Sequence, residues 1–147
     1  MKKILFILSL LVISVTLVHA QKSAVFISGN TAIKGYDAVA YFIQQKPVKG
    51  SDKFSYTWSN TVWLFSSQQN LDSFKTNPQK FAPQFGGYCA YGMADGHKAP
   101  TDPLAWAIIN DKLYLNYNKN VQKLWKEKQD ENIQSAEKNW PVLKDKE

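Results

Sequence analysis

The chain contains one cysteine, Cys89, and this limits how the fold can be stabilised. Small domains in oxidising compartments are commonly held together by disulfides, but a single cysteine cannot form one within its own chain. The fold must therefore depend on its hydrophobic core. Hydrophobic residues make up 44% of the sequence and aromatic residues 14%, which is enough for such a core and excludes a wholly disordered chain.

The N-terminal residues have the pattern of a secretory signal peptide. Residues 2–3 are lysines, residues 4–18 are largely apolar, and residues 18–20 (VHA) offer the small side chains that a signal peptidase reads. We expect cleavage after Ala20 and export to the periplasm or the extracellular space. The apolar stretch is shorter than the roughly 20 residues of a membrane-spanning helix, so we expect no stable membrane insertion after cleavage.

The sequence after the signal peptide is expected to form one domain. We divide it into a lead-in over residues 21–34, a domain over residues 35–141 and a polar tail over residues 142–147. The formal net charge is +6, and every basic residue is lysine. Surfaces that read nucleic acids usually rely on the bidentate guanidinium of arginine, so we expect no nucleic-acid partner. The sequence leaves the oligomeric state open.

Two segments have the pattern of β-hairpins. Apolar and polar residues alternate over residues 54–58, and a Ser-Asn pair separates them from the apolar run at residues 61–65. Residues 105–109 and 112–117 flank an Asn-Asp pair in the same way. Short strands joined by two-residue turns of this composition predict antiparallel hairpins.

Helices are predicted after each hairpin. Ser66 or Ser67 can cap the first helix, and Asn118 can cap a longer helix that ends near Trp140 and Pro141. The apolar positions of the longer helix follow helical spacing: Val121, Leu124, Trp125, Ile133 and Ala136. We therefore predict an α+β fold, with small antiparallel β-hairpins packed against short helices and a longer C-terminal helix.

Three potential metal ligands follow one another at intervals of four residues. Cys89, Met93 and His97 would lie along one face if a helix spanned them. Thiolate, thioether and imidazole donors together suit copper, particularly Cu(I), or another soft metal. The alternative is that Gly92 and Gly96 break the helix, and that the methionine and the cysteine only fill the core.

Cys89 also has a second interpretation, as a redox-active catalytic thiol. A position at a helix N-terminus would favour its thiolate, and His97, the one histidine left after signal cleavage, could serve as a base. The chain has no resolving cysteine, so the partner would be a small thiol or oxidant. A third interpretation is an accessory or interaction domain with an inert, buried thiol. The sequence does not decide whether the protein is an enzyme.

Three aspartates in turn-like settings are expected to cap turns rather than to act in catalysis. Asp37, Asp95 and Asp102 each lie near glycine, proline or threonine, where aspartate side chains commonly accept backbone hydrogen bonds. The haem-attachment, P-loop, nucleophile-elbow and zinc-protease motifs are missing from the sequence. The corresponding enzyme classes therefore have no support.

Several linked motifs resemble the YHS domain family. They are GYDAVAYF at residues 35–42, FSYTW at 54–58, WLF at 63–65 and FKTNPQKF at 74–81. Residues 85–117, with GGYCA at 86–90 and DPLAW at 102–106, resemble the extension of an exported branch described as YHS-domain (seleno)proteins. The resemblance covers roughly residues 33–125.

The resemblance implies soft-metal binding, because YHS domains accompany copper-transporting ATPases and related modules bind metals through cysteines. In this chain, however, Ala40, Ser66 and Asn70 stand where metal-binding relatives carry cysteine. The resemblance also implies that the position of Cys89 holds selenocysteine in relatives. It therefore favours redox chemistry or soft-metal ligation at Cys89, and it does not mark His97 as a ligand.

Overall fold

The computed structural model of the protein describes residues 23–146. The predicted signal peptide lies outside this range. Within it, no helix combines the length and the apolar character needed to cross a bilayer. The strands are β1 (Ile27–Ser28), β2 (Thr31–Ala32), β3 (Ser51–Trp58), β4 (Thr61–Phe65), β5 (Asp102–Ile109) and β6 (Lys112–Asn116). The α-helices are α1 (Ala40–Ile43), α2 (Gln68–Thr76), α3 (Pro78–Phe81), α4 (Ala90–Ala94), α5 (Lys119–Glu127) and α6 (Gln129–Leu143).

Both predicted hairpins are present. Strands β3 and β4 pair antiparallel around Ser59 and Asn60, and β5 and β6 pair antiparallel around Asn110 and Asp111. All four turn residues have positive φ, between 50° and 59°. Two consecutive left-handed residues give the turn whose twist matches that of the flanking strands. The predicted α+β fold, with small hairpins, short helices and a longer C-terminal helix, is confirmed.

The first sheet also takes in the start of the described chain. Its strand order is β1-β2-β4-β3, and β2 lies parallel to β4 through the pair Thr31 and Val62. The other sheet contains β5 and β6. The lead-in is thus joined to the first hairpin by backbone pairing.

The C-terminal helical region differs from the single helix that the spacing predicted. The cap is as expected, since Asn118 Oδ1 accepts the N–H of Val121 at 2.9 Å. The chain then leaves helical geometry at Lys128 (φ −132°, ψ 48°), which separates α5 from α6. The side-chain amide of Asn132 donates to the carbonyl of Trp125 at 2.9 Å. This bond satisfies a carbonyl that the end of α5 leaves without a helical partner.

Strand β6 lies between two clusters of buried side chains. Leu113 and Leu115 belong to the first cluster, together with Trp63, Phe65 and Phe74. Tyr114 belongs to the second cluster, together with Phe85, Met93 and Trp125. Successive side chains of a strand point to opposite faces, so β6 contributes to both clusters. By the same alternation, Asn116 shares a face with Tyr114.

Tyr41 is fully buried and donates its hydroxyl proton to the carbonyl of Pro103 at 2.9 Å. Burial, with smaller contributions from Tyr36, Asp102 and Asp37, raises the pKa of Tyr41 far above its usual value of about 10. The folded state therefore holds this proton more tightly than the unfolded chain does. The resulting stabilisation is complete below pH about 10 and is lost as the pH rises from there towards the folded-state pKa.

We predict that Tyr41→Phe makes the alkaline loss of stability shallower. One proton corresponds to a slope of about 1.4 kcal/mol per pH unit, and the variant lacks this proton. At pH 7 the variant should be less stable by about 1 kcal/mol, because the hydrogen bond to Pro103 is gone. Urea unfolding between pH 7 and 11 measures both effects, with Tyr117→Phe, at an exposed position, as the control. Equal slopes for Tyr41→Phe and the unmodified protein would contradict the prediction.

Candidate thiol site

Cys89 is positioned by a glycine-containing turn. Gly86 and Gly87 have φ values of +63° and +83°, and they end the 3-10 turn Gln84–Gly87. A side chain on Gly86 would place its Cβ 1.8 Å from the carbonyl oxygen of Ala24, so only glycine fits there. The N–H of Cys89 then donates to the carbonyl of Ala99 at 3.0 Å. The residue is 1% exposed and immediately precedes α4.

The sulfur of Cys89 accepts hydrogen bonds from two backbone N–H groups. That of Gly92, within α4, lies 3.5 Å from Sγ, and that of Tyr117, which follows β6, lies 3.2 Å away. The thiol in turn donates to Oδ1 of Asn116 at 3.7 Å. Hydrogen bonds to an acceptor strengthen when the acceptor carries charge, so these donors favour chemistry in which the sulfur is negative.

Cys89 lies at a helix start, as the redox hypothesis expected, but the helix itself is not the main source of contacts to the sulfur. Helix α4 has five residues, which is too short for a substantial helix dipole. One of the two donors, the N–H of Tyr117, does not belong to the helix at all. The contacts to the sulfur are therefore individual N–H groups that the fold brings together.

The three predicted metal ligands do not share a helical face. Helix α4 ends at Ala94, and the chain turns back so that the N–H of His97 donates to the carbonyl of Gly92 at 3.0 Å. Met93 is fully buried, whereas the side chain of His97 is 58% exposed and lies 3.6 Å from the carboxylate of Asp95. His97 is therefore exposed to solvent, whereas the two sulfur-containing residues are buried.

The contacts of Cys89 bear on the predicted metal site. Within residues 23–146, no group of three or more His, Cys, Asp or Glu side chains is arranged to hold a metal ion. The two N–H groups leave a lone pair of a thiolate sulfur free, so they do not by themselves exclude a metal ligand role. Copper binding by Cys89 with Met93 or His97 stays a prediction.

Asp37 is the centre of a buried hydrogen-bond network. Its Oδ1 accepts the N–H groups of Val39 at 2.8 Å and Ala40 at 3.2 Å. Its Oδ2 accepts the N–H and the hydroxyl of Ser66 at 2.8 and 2.7 Å, and the side-chain amide of Asn70 at 2.7 Å. Asp37 is fully buried, and these five donors compensate for the loss of water.

This network lies where the resemblance to metal-binding YHS domains implies cysteines. Ala40, Ser66 and Asn70 each contribute a donor to Asp37 instead of a metal ligand. The predicted turn-capping role of Asp37 is confirmed by its bonds to Val39 and Ala40. We therefore assign this region a structural role.

The other two aspartates have different environments. Oδ1 of Asp102 accepts the N–H of Leu104 at 2.9 Å, which confirms its predicted role in capping a turn. The carboxylate of Asp95 is exposed and pairs with His97. Neither carboxylate forms a hydrogen bond with the thiol of Cys89.

Asn116 is a component of the site that the sequence analysis did not single out. It is fully buried, and its Oδ1 also accepts the N–H of Tyr91 at 3.2 Å. The signal in the sequence is a polar residue ending the apolar strand β6, two positions after Tyr114 on the same face. Such a residue is easily taken for the start of a turn, because asparagine is common there.

Comparison with known proteins gives no match. No family model, no curated protein and no solved structure is significantly similar to the chain. The resemblance to the YHS domain family therefore rests on the motifs alone. Evidence on the function therefore comes from the geometry around Cys89.

Proposed function

We propose that this chain is an exported, thiol-dependent redox protein in which Sγ of Cys89 is the reactive atom. The proposal is carried by the two N–H groups, from Gly92 and Tyr117, that donate to this sulfur. A cysteine that only fills a core behaves as a small hydrophobic residue and needs no such donors. The thiolate is the nucleophilic form of cysteine, and donors directed at the sulfur stabilise it.

Cys89 is buried, but two residues that surround it are partly exposed. Tyr117, whose N–H donates to Sγ, is 52% exposed, and Tyr91, whose N–H shares the Asn116 oxygen with the thiol, is 36% exposed. Local opening of such a segment costs less free energy than global unfolding. We therefore propose that the partner is a small thiol or a small oxidant, which a local opening would admit.

Soft-metal binding is the second candidate, and the position of Met93 favours it. Its backbone N–H donates to the carbonyl of Cys89 at 2.8 Å, so the two residues lie on one helical turn and both are buried. Thiolate and thioether donors select Cu(I) over harder cations. His97, which is largely exposed, would be a weaker third ligand.

We predict that iodoacetamide labels Cys89 in the folded, processed protein, and that low urea concentrations do not change the rate. A local opening exposes little surface, so its population depends weakly on denaturant, whereas labelling through global unfolding follows the full urea dependence. The protein is first dialysed against a Cu(I) chelator, and labelling is followed by intact mass from pH 5 to 9. The Cys89→Ser variant is the control for labelling at other residues.

The same assay with Cu(I) under reducing conditions separates the two candidates. Labelling unaffected by one equivalent of Cu(I) supports the redox proposal. Protection by one equivalent, weakened at least tenfold in Met93→Leu, would replace it with soft-metal binding. A metal-free protein that is labelled only at the rate of global unfolding would contradict both candidates and would leave an accessory domain with an inert thiol.

A further inference from the structure

The side-chain amide of Asn116 has an unsatisfied donor beside the thiol. Its Oδ1 faces both Sγ of Cys89 and the N–H of Tyr91, but its Nδ2 is buried without a hydrogen-bond partner among residues 23–146. A buried amide N–H without an acceptor is unfavourable, because the group has lost its hydrogen bonds to water without gaining a new one. Nearly all buried polar groups in folded proteins have hydrogen-bond partners. The unpaired Nδ2 therefore indicates that a ligand with an acceptor atom binds beside it.

We infer that Nδ2 of Asn116 binds the oxygen of a small hydroperoxide and then the sulfenate oxygen formed on Cys89. The inference rests on the proposed redox function, and it names the substrate class of the same site. An oxygen atom bonded to Sγ would lie in the immediate neighbourhood of the Asn116 amide, because Oδ1 is 3.7 Å from the sulfur. This oxygen accepts a hydrogen bond from Nδ2. Without the oxygen, Nδ2 has no acceptor among residues 23–146.

The reaction is a two-electron oxidation of the sulfur. The Cys89 thiolate attacks the terminal oxygen of the hydroperoxide, so that the S–O bond forms and the O–O bond breaks. The second oxygen leaves as alkoxide or hydroxide and takes a proton from water, which gives an alcohol or water. The sulfur is oxidised to sulfenic acid, and the peroxide is reduced.

Recovery of the thiol requires an external reductant, because Cys89 is the one cysteine of the chain. A small thiol attacks the sulfenic sulfur, so that an S–S bond forms and the hydroxyl leaves as water. A second small thiol then cleaves this mixed disulfide and releases Cys89 with a proton. The site would therefore use one hydroperoxide and two small thiols in each cycle.

The donors around Cys89 divide between the sulfur and the oxygen that would be bonded to it. The N–H groups of Gly92 and Tyr117 contact the sulfur itself, whereas Nδ2 of Asn116, in the amide whose Oδ1 lies 3.7 Å from the sulfur, has no partner among residues 23–146. A fixed donor that holds the transferred oxygen in place beside the sulfur lowers the barrier, because the reacting atoms are already positioned. The thiolate needs the first two donors, and the transferred oxygen uses the third.

The test compares two reactions of the same thiol in the processed, metal-free protein. The rate constant for sulfenate formation with hydrogen peroxide, trapped with dimedone and followed by intact mass, is divided by the rate constant for alkylation with iodoacetamide. Thiolate population and local opening affect both reactions, so their ratio isolates the contact with the peroxide oxygen. We expect this ratio to fall at least tenfold in both Asn116→Asp and Asn116→Leu.

The two variants differ in what they preserve. Aspartate keeps an oxygen for the N–H of Tyr91 but lacks the amide donor, and leucine is uncharged and also lacks it. Asn120→Asp, at an exposed position of α5, is the matched control, and its ratio should equal that of the unmodified protein. An unchanged ratio in the Asn116 variants, with both reactions still measurable, would overturn the inference and leave the proposed function intact.

A measurement on the unmodified protein keeps the inference testable if the Asn116 variants do not fold. The same ratio is determined for the native protein and for the chain in concentrated urea, where the contacts around Cys89 are absent. We expect the native ratio to be at least tenfold higher, and an equal ratio would overturn the inference. If the native thiol reacts with neither reagent, the proposed function itself fails.

Discussion

Replacing Asp37 with alanine is expected to lower the free energy of unfolding by about 4 kcal/mol or more. The variant leaves five hydrogen-bond donors, from four residues, without their acceptor inside the protein. Each buried donor left unsatisfied costs about 1–3 kcal/mol, and partial hydration of the cavity recovers some of this. The free energy of unfolding of a typical domain is only about 5–15 kcal/mol, so we expect a large unfolded fraction of the variant at 37 °C.

Two further variants test this explanation. Asp37→Asn keeps one oxygen, but its NH₂ group meets donors on Ser66 and Asn70 or on Val39 and Ala40, so we expect a loss of about 2–3 kcal/mol. Asp72→Asn changes an exposed carboxylate that accepts one bond from Gln68 and should cost less than about 0.5 kcal/mol. Urea unfolding measures all three. A loss below about 1 kcal/mol for Asp37→Ala would show that the network is not structural.

The parts of the fold that local sequence determines were predictable. Each hairpin consists of two neighbouring strands and a two-residue turn, and the caps at Ser67 and Asn118 bind donors three residues further on. The break between α5 and α6 was not predictable from spacing, because apolar residues recur at helical intervals on both sides of Lys128. The bond from Asn132 to Trp125 depends on how the two helices pack.

The candidate site shows the same division between local and distant interactions. Cys89 could be selected from the sequence because it is the one cysteine. Its distant partners could not. Tyr117, whose N–H donates to the sulfur, is 28 residues away along the chain, and Asn116, whose Oδ1 accepts from the thiol, is 27 residues away. The spacing of Cys89, Met93 and His97 suggested one helical face, but glycine at position 96 adopts φ +86° after the helix has ended. Spacing is informative only while the helix continues.

Phe74 is expected to show the other large effect, because it lies at the centre of the first buried cluster. Its ring centroid is 5.0 Å from those of Trp63 and Phe65, and 5.8 Å from that of Trp58. Truncation of a buried phenylalanine to alanine costs about 3–5 kcal/mol, because burial is lost and a cavity remains. We expect Phe74→Ala to fall in this range, and Leu124→Ala, at a position 48% exposed, to cost less than about 1 kcal/mol.

The same variant tests whether the two buried clusters unfold together. Strand β6 contributes Leu113 and Leu115 to the first cluster and Tyr114 to the second, so damage to the first should destabilise the second as well. Unfolding is followed by tryptophan fluorescence and, in parallel, by pulse alkylation of Cys89. We expect Phe74→Ala to shift both urea midpoints equally, because a cooperative unit exposes its groups in one transition. If the alkylation midpoint stayed in place while the fluorescence midpoint moved, the thiol site would belong to a unit that unfolds separately from the first sheet.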